Sequence, residues 1–492
     1  MRKIVTSLNS DYFLLFALIL LGLVLRTLDI EIRPLHNDEG VNYFFLGQID
    51  QKGYYPYSYL NYHGPAYFYL TRLCTAIFGD GIFGLRFSSI LSGLLLPVCL
   101  IPFFKRNQGL YVLIASALLM LSPTHVFFSR YAIHESFFVL VTLWLAVSVY
   151  FWWEERKPCY IYQGFAALAL LVSTKETFII TLFSLFIGIL LLGDYKAVFR
   201  DLRAQYAVIV KGLLGCVVSI IFIFTGAFRW SDGVHEMLLA VPQWIARNDS
   251  DFGHHKPFQY YAECLAVVEP TLEILLLVFV ALIFVSFLFP LKLEKFRKDL
   301  FTQNPWVRFL FAWFVSIFLV YSLVSYKTPW LILNLSLPLI LLISYFLTYL
   351  VSAESLKVRV VSFAVGIAAL LSTVGSSFYF NFDHPYGIKN PYSYVHTAEG
   401  MLRLLDDIAI LAKQKPNLNI LVGIKQYWPL PYYLRRYEPN VGYKDISNPN
   451  TISDRYDVLI LDKNVLWNKS GWRDKYYRLS DVQESRTYFK LH

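Results

Sequence analysis

Apolar runs long enough to cross a bilayer recur along this chain, and no other feature limits its fold as strongly. A hydrocarbon core about 30 Å thick needs roughly 20 mostly apolar residues per helical crossing, because lipid offers no partner to an open backbone. Runs of this kind lie near 12–28, 82–103, 110–121, 133–153, 161–172, 177–192, 206–225, 272–289, 306–324, 330–351 and 360–377. They predict an all-α polytopic membrane domain of about 11 transmembrane helices, the third and fifth being short. Composition agrees, with 56% hydrophobic and 16% charged residues where soluble chains carry about 25% charged. Arg2 and Lys3 precede the first run and no small-residue cleavage site follows it, so it reads as an anchor rather than a signal peptide.

The net charge of +9 excludes no membrane protein, but its distribution speaks against a nucleic-acid partner, because the basic residues sit between apolar runs. Alternate gaps, counted from the amino terminus, hold Lys105 and Arg106, Arg156 and Lys157, Lys196, Arg200 and Arg203, Lys292 to Lys298, and Lys357 and Arg359. With Arg2 and Lys3 these gaps carry about 15 basic residues in short loops, against about 9 in the much longer loops between them. The bias predicts a multi-pass protein of the cell membrane with a cytoplasmic amino terminus. Outer loops then cover 29–81 and 227–270, and everything after about 378 forms an extracytoplasmic domain. There the composition shifts to Asn, Pro, Asp, Lys and Tyr. Residues 419–424 and 456–462 read as buried strands and 400–412 as an amphipathic helix, which predicts a small α/β domain. Five cysteines, an odd number without CxxC spacing, suggest neither a disulfide framework nor a zinc site.

Ionisable residues beside membrane segments are costly to keep, so they are candidates for function. On the predicted outer side the first loop carries Arg33-Pro-Leu-His-Asn-Asp-Glu-Gly40, and Tyr62-His-Gly-Pro65 follows. Farther along come Ser129-Arg-Tyr-Ala-Ile-His-Glu-Ser136, Ser173-Thr-Lys-Glu-Thr177 and Ser325-Tyr-Lys-Thr-Pro-Trp330. In the pair Asp38-Glu39 a carboxylate can accept a proton from an attacking hydroxyl. The same dipeptide is common at solvated helix starts. His36 can tune that pair or hold a metal with it, and can equally be a structural loop residue. Arg130, Lys175 and Lys327 sit at predicted outer helix ends, where a cation can clamp a phosphate at headgroup level or merely snorkel to water. Asn248-Asp-Ser250 and Asn468-Lys-Ser470 match a glycosylation acceptor pattern and receive no role, and the acidic and histidine residues of 248–256 fit no specific cation site.

In order and in side, Asp-Glu in the first outer loop, Tyr62-His-Gly-Pro-Ala-Tyr-Phe-Tyr-Leu70, Leu85-Arg-Phe87, Ser122-Pro123, Ser129-Arg-Tyr131 and Thr174-Lys-Glu176 form a pattern. It resembles the dolichyl-phosphate-mannose protein mannosyltransferase-like C-type (GT-C) membrane glycosyltransferases. Tyr326-Lys-Thr-Pro-Trp330 with Tyr427-Trp-Pro-Leu-Pro-Tyr-Tyr-Leu-Arg-Arg-Tyr437 is similar to a prokaryotic branch labelled flippase-activity-associated in archaeal protein glycosylation. The resemblance implies a transmembrane glycosyltransferase domain over 1–377 and a polyprenyl-phosphate-linked sugar as donor, whereas the extracytoplasmic α/β domain over 378–492 follows from the topology and strand pattern and differs from the mannosyltransferases' own additions. It assigns Asp38 as the carboxylate that deprotonates the acceptor, Glu39 as the second acid, and His63, Arg130 and Lys175 to the donor phosphate; Lys327 joins that donor-phosphate set by its place at an outer helix end. Gly64 between His63 and Pro65 departs from the family pattern. A metal is optional, because lysine and arginine can neutralise the phosphate.

The acceptor is a glycan, a lipid or a protein. Tyr427, Trp428, Tyr432, Tyr433, Arg435 and Arg436 suit either a recognition surface for it or the packing of a small core. Two other classes stay open on the same residues: a flippase or flippase-accessory protein for polyprenyl-phosphate-linked sugars, and a binding protein that kept the fold without the activity.

Overall fold

The computed structural model describes residues 8–61, 63–246, 254–446 and 448–491. Arg2, Lys3, Tyr62 and the Asn248-Asp-Ser250 triplet lie outside the described residues. Among the described residues twenty α-helices follow in order: α1 (Leu8–Thr27), α2 (Asn37–Lys52), α3 (Ala66–Phe78), α4 (Ile82–Cys99), α5 (Gly109–Leu121), α6 (Pro123–Ser129), α7 (Glu135–Glu155), α8 (Pro158–Val172), α9 (Phe178–Leu190) and α10 (Tyr195–Ala204). They continue as α11 (Tyr206–Phe224), α12 (Gly233–Ala246), α13 (Tyr260–Val268), α14 (Pro270–Leu288), α15 (Pro290–Arg297), α16 (Pro305–Leu323), α17 (Leu333–Val351), α18 (Leu356–Phe378), α19 (Glu399–Gln414) and α20 (Leu430–Leu434). The chain divides into two compact units, one of Met1–Ile30, Gln48–Pro385 and Lys389–Tyr392, the other of Glu31–Gly47, Tyr386–Ile388 and Ser393–His492.

The first unit is a bundle of membrane helices. Among the described residues eight helices are long and apolar enough to span, or ten if two bent pairs each count as one crossing. The expected eleven is corrected accordingly. The run at 110–121 continues into α6 through a 58° bend. Pro123 lacks the N–H that would continue the ladder, and Ser122 caps the new helix by accepting from the His125 amide at 3.1 Å. The run at 177–192 ends where Gly193 and Asp194 turn left-handed, and α10 departs at 116°. The run at 161–172 belongs to α8, a 15-residue apolar helix below spanning length.

Burial sorts the spans. The segment Pro329–Val351 is 89% buried and forms the centre, whereas α11 and α18 are each 17% buried and turn Leu214, Phe222, Phe363 and Leu371 outward, as lipid-facing helices do. An aromatic group around Phe103, Tyr111, Tyr150 and Trp306 packs one end of the bundle, where the Trp306 indole donates to the Tyr111 hydroxyl at 2.9 Å.

The second unit is built on a five-stranded mixed sheet in the order β2-β1-β3-β5-β4, with β1 (Ile420–Gly423), β2 (Val441–Tyr443), β3 (Val458–Asp462), β4 (Trp472–Arg478) and β5 (Glu484–Lys490). Strand β1 runs parallel to β2 and β3, and β5 runs antiparallel to β3 and β4. Ile420, Val422, Val458 and Ile460 pack under Met401, Leu404, Leu405 and Ile408 of α19, while Leu421, Leu459 and Leu461 meet Ile446 and Ile452 on the opposite face. Central strands covered on both faces must be apolar at every position, which is why they read as continuous runs. The architecture is therefore the expected one, a polytopic helical domain with an α/β domain at the carboxy terminus.

Candidate functional site

Asp38 and Glu39 share the first turn of α2, where carboxylates complement the helix dipole, and the fold gives them different work. Glu39 is fully buried and its Oε2 accepts from the His36 amide at 2.9 Å, the return half of a capping box. Asp38 is left 39% exposed. His36 Nδ1 accepts from the Asp38 amide at 3.0 Å while its Nε2 lies 2.6 Å from the Tyr394 carbonyl. Both contacts are met by a neutral ring protonated on Nε2, so His36 orients this turn. The segment before α2 is pinned within the same unit. The Leu35 amide donates to the Tyr433 hydroxyl at 2.9 Å, and Thr397 Oγ1 donates to the Leu35 carbonyl at 2.6 Å.

Of the residues read as a recognition surface or a core, Trp428, Tyr432 and Arg435 pack against this helix. Trp428 meets Phe44 edge-on at 5.8 Å, and Arg435 lies 3.8 Å over Tyr432 and 5.8 Å from the centre of Tyr43. Tyr427 is half-buried against Tyr443. Arg436 stays exposed beside Tyr437. A Cβ on Gly40 would stand 2.6 Å from the Pro429 Cβ and 2.7 Å from its Cα, so α2 approaches this segment so closely only with glycine there.

In the first unit a second cluster forms where the loop before α3 meets the turn between α8 and α9. The Gly64 amide donates to the Thr174 carbonyl at 3.0 Å and the Ala66 amide to the Ser173 carbonyl at 2.9 Å. A Cβ on Gly64 would fall 2.2 Å from the Ser173 carbonyl oxygen, so only glycine permits this approach. The glycine between His63 and Pro65 thus has a steric reason. The clip sets His63 Nδ1 3.5 Å from Glu176 Oε2, and the His63 and His134 rings 4.8 Å apart. Lys175 donates to Glu135, both buried. Burial, with the nearby charges of His63 and Lys175, holds His134 well below the usual histidine range. Burial and the Glu176 carboxylate push the Tyr57 phenol up. Glu135, His134 and Glu176 had no separate reading in the sequence, although each adjoins a candidate or stands beside one in the same motif. Alternation of sign in Lys175-Glu176 and His134-Glu135 was the available signal.

Arg130 and Lys327 are placed elsewhere in this unit, and backbone carbonyls engage both. Arg130 donates to Leu25 O at 2.9 Å and Asp29 O at 2.7 Å and lies 4.6 Å over Phe382. With Arg86, which donates to Ile30 O at 2.5 Å, it fixes the chain leaving α1. Lys327 is buried and donates to Lys256 O at 3.2 Å and to Val324 O, and its amide donates to His254 O at 2.9 Å. Burial pulls its ammonium down.

A further buried acid lies one residue before α14. Ser122 and the Thr124 amide donate to Glu269, and burial raises its carboxyl to about 7. No motif marked it. Among the described residues no three His, Cys, Asp or Glu side chains are grouped to hold a metal ion.

Residues 62–222 match the family model described as dolichyl-phosphate-mannose-protein mannosyltransferase. The match takes in about a third of the chain, including His63, Arg130 and Lys175 but neither Asp38 nor Lys327. No curated protein sequence matches the chain. In fold it is similar to ArnT from Cupriavidus metallidurans bound to undecaprenyl phosphate, with a TM-score of 0.58, 14% identity and 98% of each chain covered. The same protein in the apo state gives a TM-score of 0.62 at 13% identity, again over 98% of each chain. The archaeal oligosaccharyltransferase AglB from Archaeoglobus fulgidus, in complex with an inhibitory peptide and a dolichol-phosphate, is similar with a TM-score of 0.55 and 12% identity, over 93% of this chain and 70% of that one. Over residues 62–222 the chain is thus similar to a mannosyltransferase family model, and its fold is similar to those of ArnT and AglB.

Proposed function

We propose that this chain is an inverting glycosyltransferase that moves a sugar from a polyprenyl-phosphate donor to a glycan, lipid or protein acceptor on the outer face of the cell membrane. The observation that carries this reading is the division of labour in the first turn of α2, where Glu39 is consumed as a buried cap and Asp38, held by His36, keeps a half-exposed carboxylate. That is the arrangement a general base needs. The match over residues 62–222 and the ArnT-like fold support the reaction class.

In the reaction the acceptor heteroatom attacks the anomeric carbon from the side opposite the phosphate. A bond from carbon to the acceptor forms, the carbon–oxygen bond to phosphate breaks, polyprenyl phosphate leaves with the electron pair, and Asp38 takes the acceptor proton. His63 and Lys175 are the better suited of the four basic residues to the donor phosphate, because their present partners are carboxylates that a phosphate can replace. Arg130 and Lys327, engaged by carbonyls, act by holding the backbone. Tyr427, Trp428 and Arg435 act on the acceptor side through the position of α2. The membrane domain 1–377 carries the donor, with the amino terminus in the cytoplasm, and the domain 378–492 serves the acceptor. The narrower likeness to the archaeal flippase-activity-associated branch belongs to this reading. A flippase needs a polar route through the bilayer, whereas the ionisable cluster of His63, Glu135, Lys175 and Glu176 sits at helix ends.

The test is transfer of labelled sugar from a panel of polyprenyl-phosphate monosaccharides by the full chain in nanodiscs, comparing wild type with Asp38→Asn. Transfer that vanishes in the variant, at unchanged Tm and expression, is the expected result. Wild-type transfer in Asp38→Asn removes the assignment.

A further inference from the structure

The second unit carries a cavity of about 440 Å³ that the transfer chemistry leaves unused. It lies between the loop before α19, the first turns of that helix and the end of β4. Its size is within the range of about 300–1,000 Å³ found for small-ligand sites. The walls are fixed by backbone: the Ala398 amide donates to Leu479 O at 2.9 Å and the Asp481 amide to His396 O at 3.2 Å. A Cβ on Gly400 would stand 2.1 Å from the Arg478 carbonyl oxygen, so α19 can start this close to β4 only with glycine there.

Two features of the lining select a class of ligand. One is aromatic. Tyr386 and His396 stack at 4.8 Å with ring planes 24° apart, and Tyr476, which is 55% exposed, also lines the cavity. Such rings offer flat apolar faces beside polar edges. The other feature is charge balance. Arg403 pairs with Glu399 at 3.2 Å, Lys475 with Asp407 at 2.6 Å, and Arg478 with Asp481 at 3.7 Å. Each cation on the wall has its own carboxylate, so an anion entering the cavity would meet no uncompensated charge. A polyhydroxylated neutral molecule gains instead, because paired donors and acceptors match its hydroxyls and the rings match the C–H face of a sugar.

We propose that this cavity is a binding site for a neutral saccharide chain, separate from the residues assigned to transfer. Exposed side chains at fixed backbone make it a holding site, and its occupant is recognised by ring stacking and by hydroxyl contacts to the Arg403–Glu399 and Arg478–Asp481 pairs.

The experiment uses the full chain in lipid nanodiscs, free of sugar-headed detergent, and no donor. Binding of neutral α- and β-linked hexose trisaccharides is read by saturation-transfer NMR and titration calorimetry, with a uronate trisaccharide and inorganic phosphate in parallel. Saturable binding of one or more neutral trisaccharides, weakened at least tenfold in both Tyr386→Ala and Arg403→Gln at unchanged Tm, is expected. Absence of neutral binders, binding indifferent to both substitutions, or preference for the uronate or phosphate overturns the proposal. Because no transfer step enters the readout, an inactive Asp38 chemistry leaves this result standing, and a silent cavity leaves the transfer reading standing.

Discussion

Replacing Gly64 with alanine tests the clip that sets His63 beside Glu176. The added Cβ would lie 2.2 Å from the Ser173 carbonyl oxygen, 2.4 Å from the Ser173 carbonyl carbon and 2.9 Å from the Thr174 nitrogen. Ordinary contact begins near 3.4 Å, so the two backbones must part by about 1 Å, and no side-chain rotation relieves a clash with backbone. The separation stretches both hydrogen bonds of the clip, now 3.0 and 2.9 Å, beyond useful length. Each is worth about 1 kcal/mol net, and forced overpacking costs about 1–3 kcal/mol, so a loss of about 3–5 kcal/mol follows. A displacement of this size at a binding group lowers transfer about 10- to 100-fold. Hydrogen exchange and Tm report the clip directly, without an activity assay: the Gly64 and Ala66 amides lose protection and Tm falls by a few degrees. Gly366→Ala in α18, where nothing lies within 4 Å of the added carbon, is the control and keeps transfer and Tm at or slightly above wild type, as Ala favours a helix interior. A Gly64→Ala protein with wild-type exchange, Tm and transfer refutes the steric argument.

Glu269 makes stability pH-dependent with a definite sign. Its folded carboxyl sits at about 7 against an ordinary 4.5, so between those values the folded chain keeps a proton that the unfolded chain has released. The contribution is full below pH 4.5 and is lost as pH rises through about 7, a span of about 3 kcal/mol. Glu269→Gln therefore matches wild type at pH 5 and exceeds it in Tm at pH 8; parallel stability curves would defeat the assignment. Glu39→Ala leaves the buried His36 amide without its acceptor and costs about 1–3 kcal/mol. Transfer falls through kcat more than KM, and Glu39→Gln recovers part of it because an amide oxygen can still accept. Equal loss in both variants points instead to the charge of Glu39.

Helices that face lipid are written locally, since any run of about 20 apolar residues satisfies its own backbone and needs no distant partner. The spans were therefore legible, and their number shifted where Pro123 and the left-handed pair Gly193-Asp194 broke a run and where α8 fell short of spanning length. Strands β1 and β3 were legible for a related reason, being covered on both faces. The α19 helix announced itself through Met401, Leu404, Leu405 and Ile408 at helical spacing. Strands β4 and β5 were not legible. Along β4 only Tyr477 is buried, so Trp472-Arg-Asp-Lys-Tyr-Tyr-Arg478 carries the charges of an edge strand and no apolar alternation.

The sequence by itself determined the class of this molecule, the membrane spans, the α/β domain and the set of ionisable residues from which a site is drawn. Tertiary structure alone decided what each of those residues does. Asp38 and Glu39 are chemically alike neighbours, and only the fold buries one as a cap and leaves the other accessible. Arg130 and Lys175 are both basic residues at helix ends, and only the fold gives one to the carbonyls of Leu25 and Asp29 and the other to Glu135. The glycine at 64 has meaning only against the carbonyl of Ser173, more than a hundred positions away in the chain. Apolar burial is a property that a short segment carries within itself, whereas the role of a polar group is set by the partner that folding brings to it.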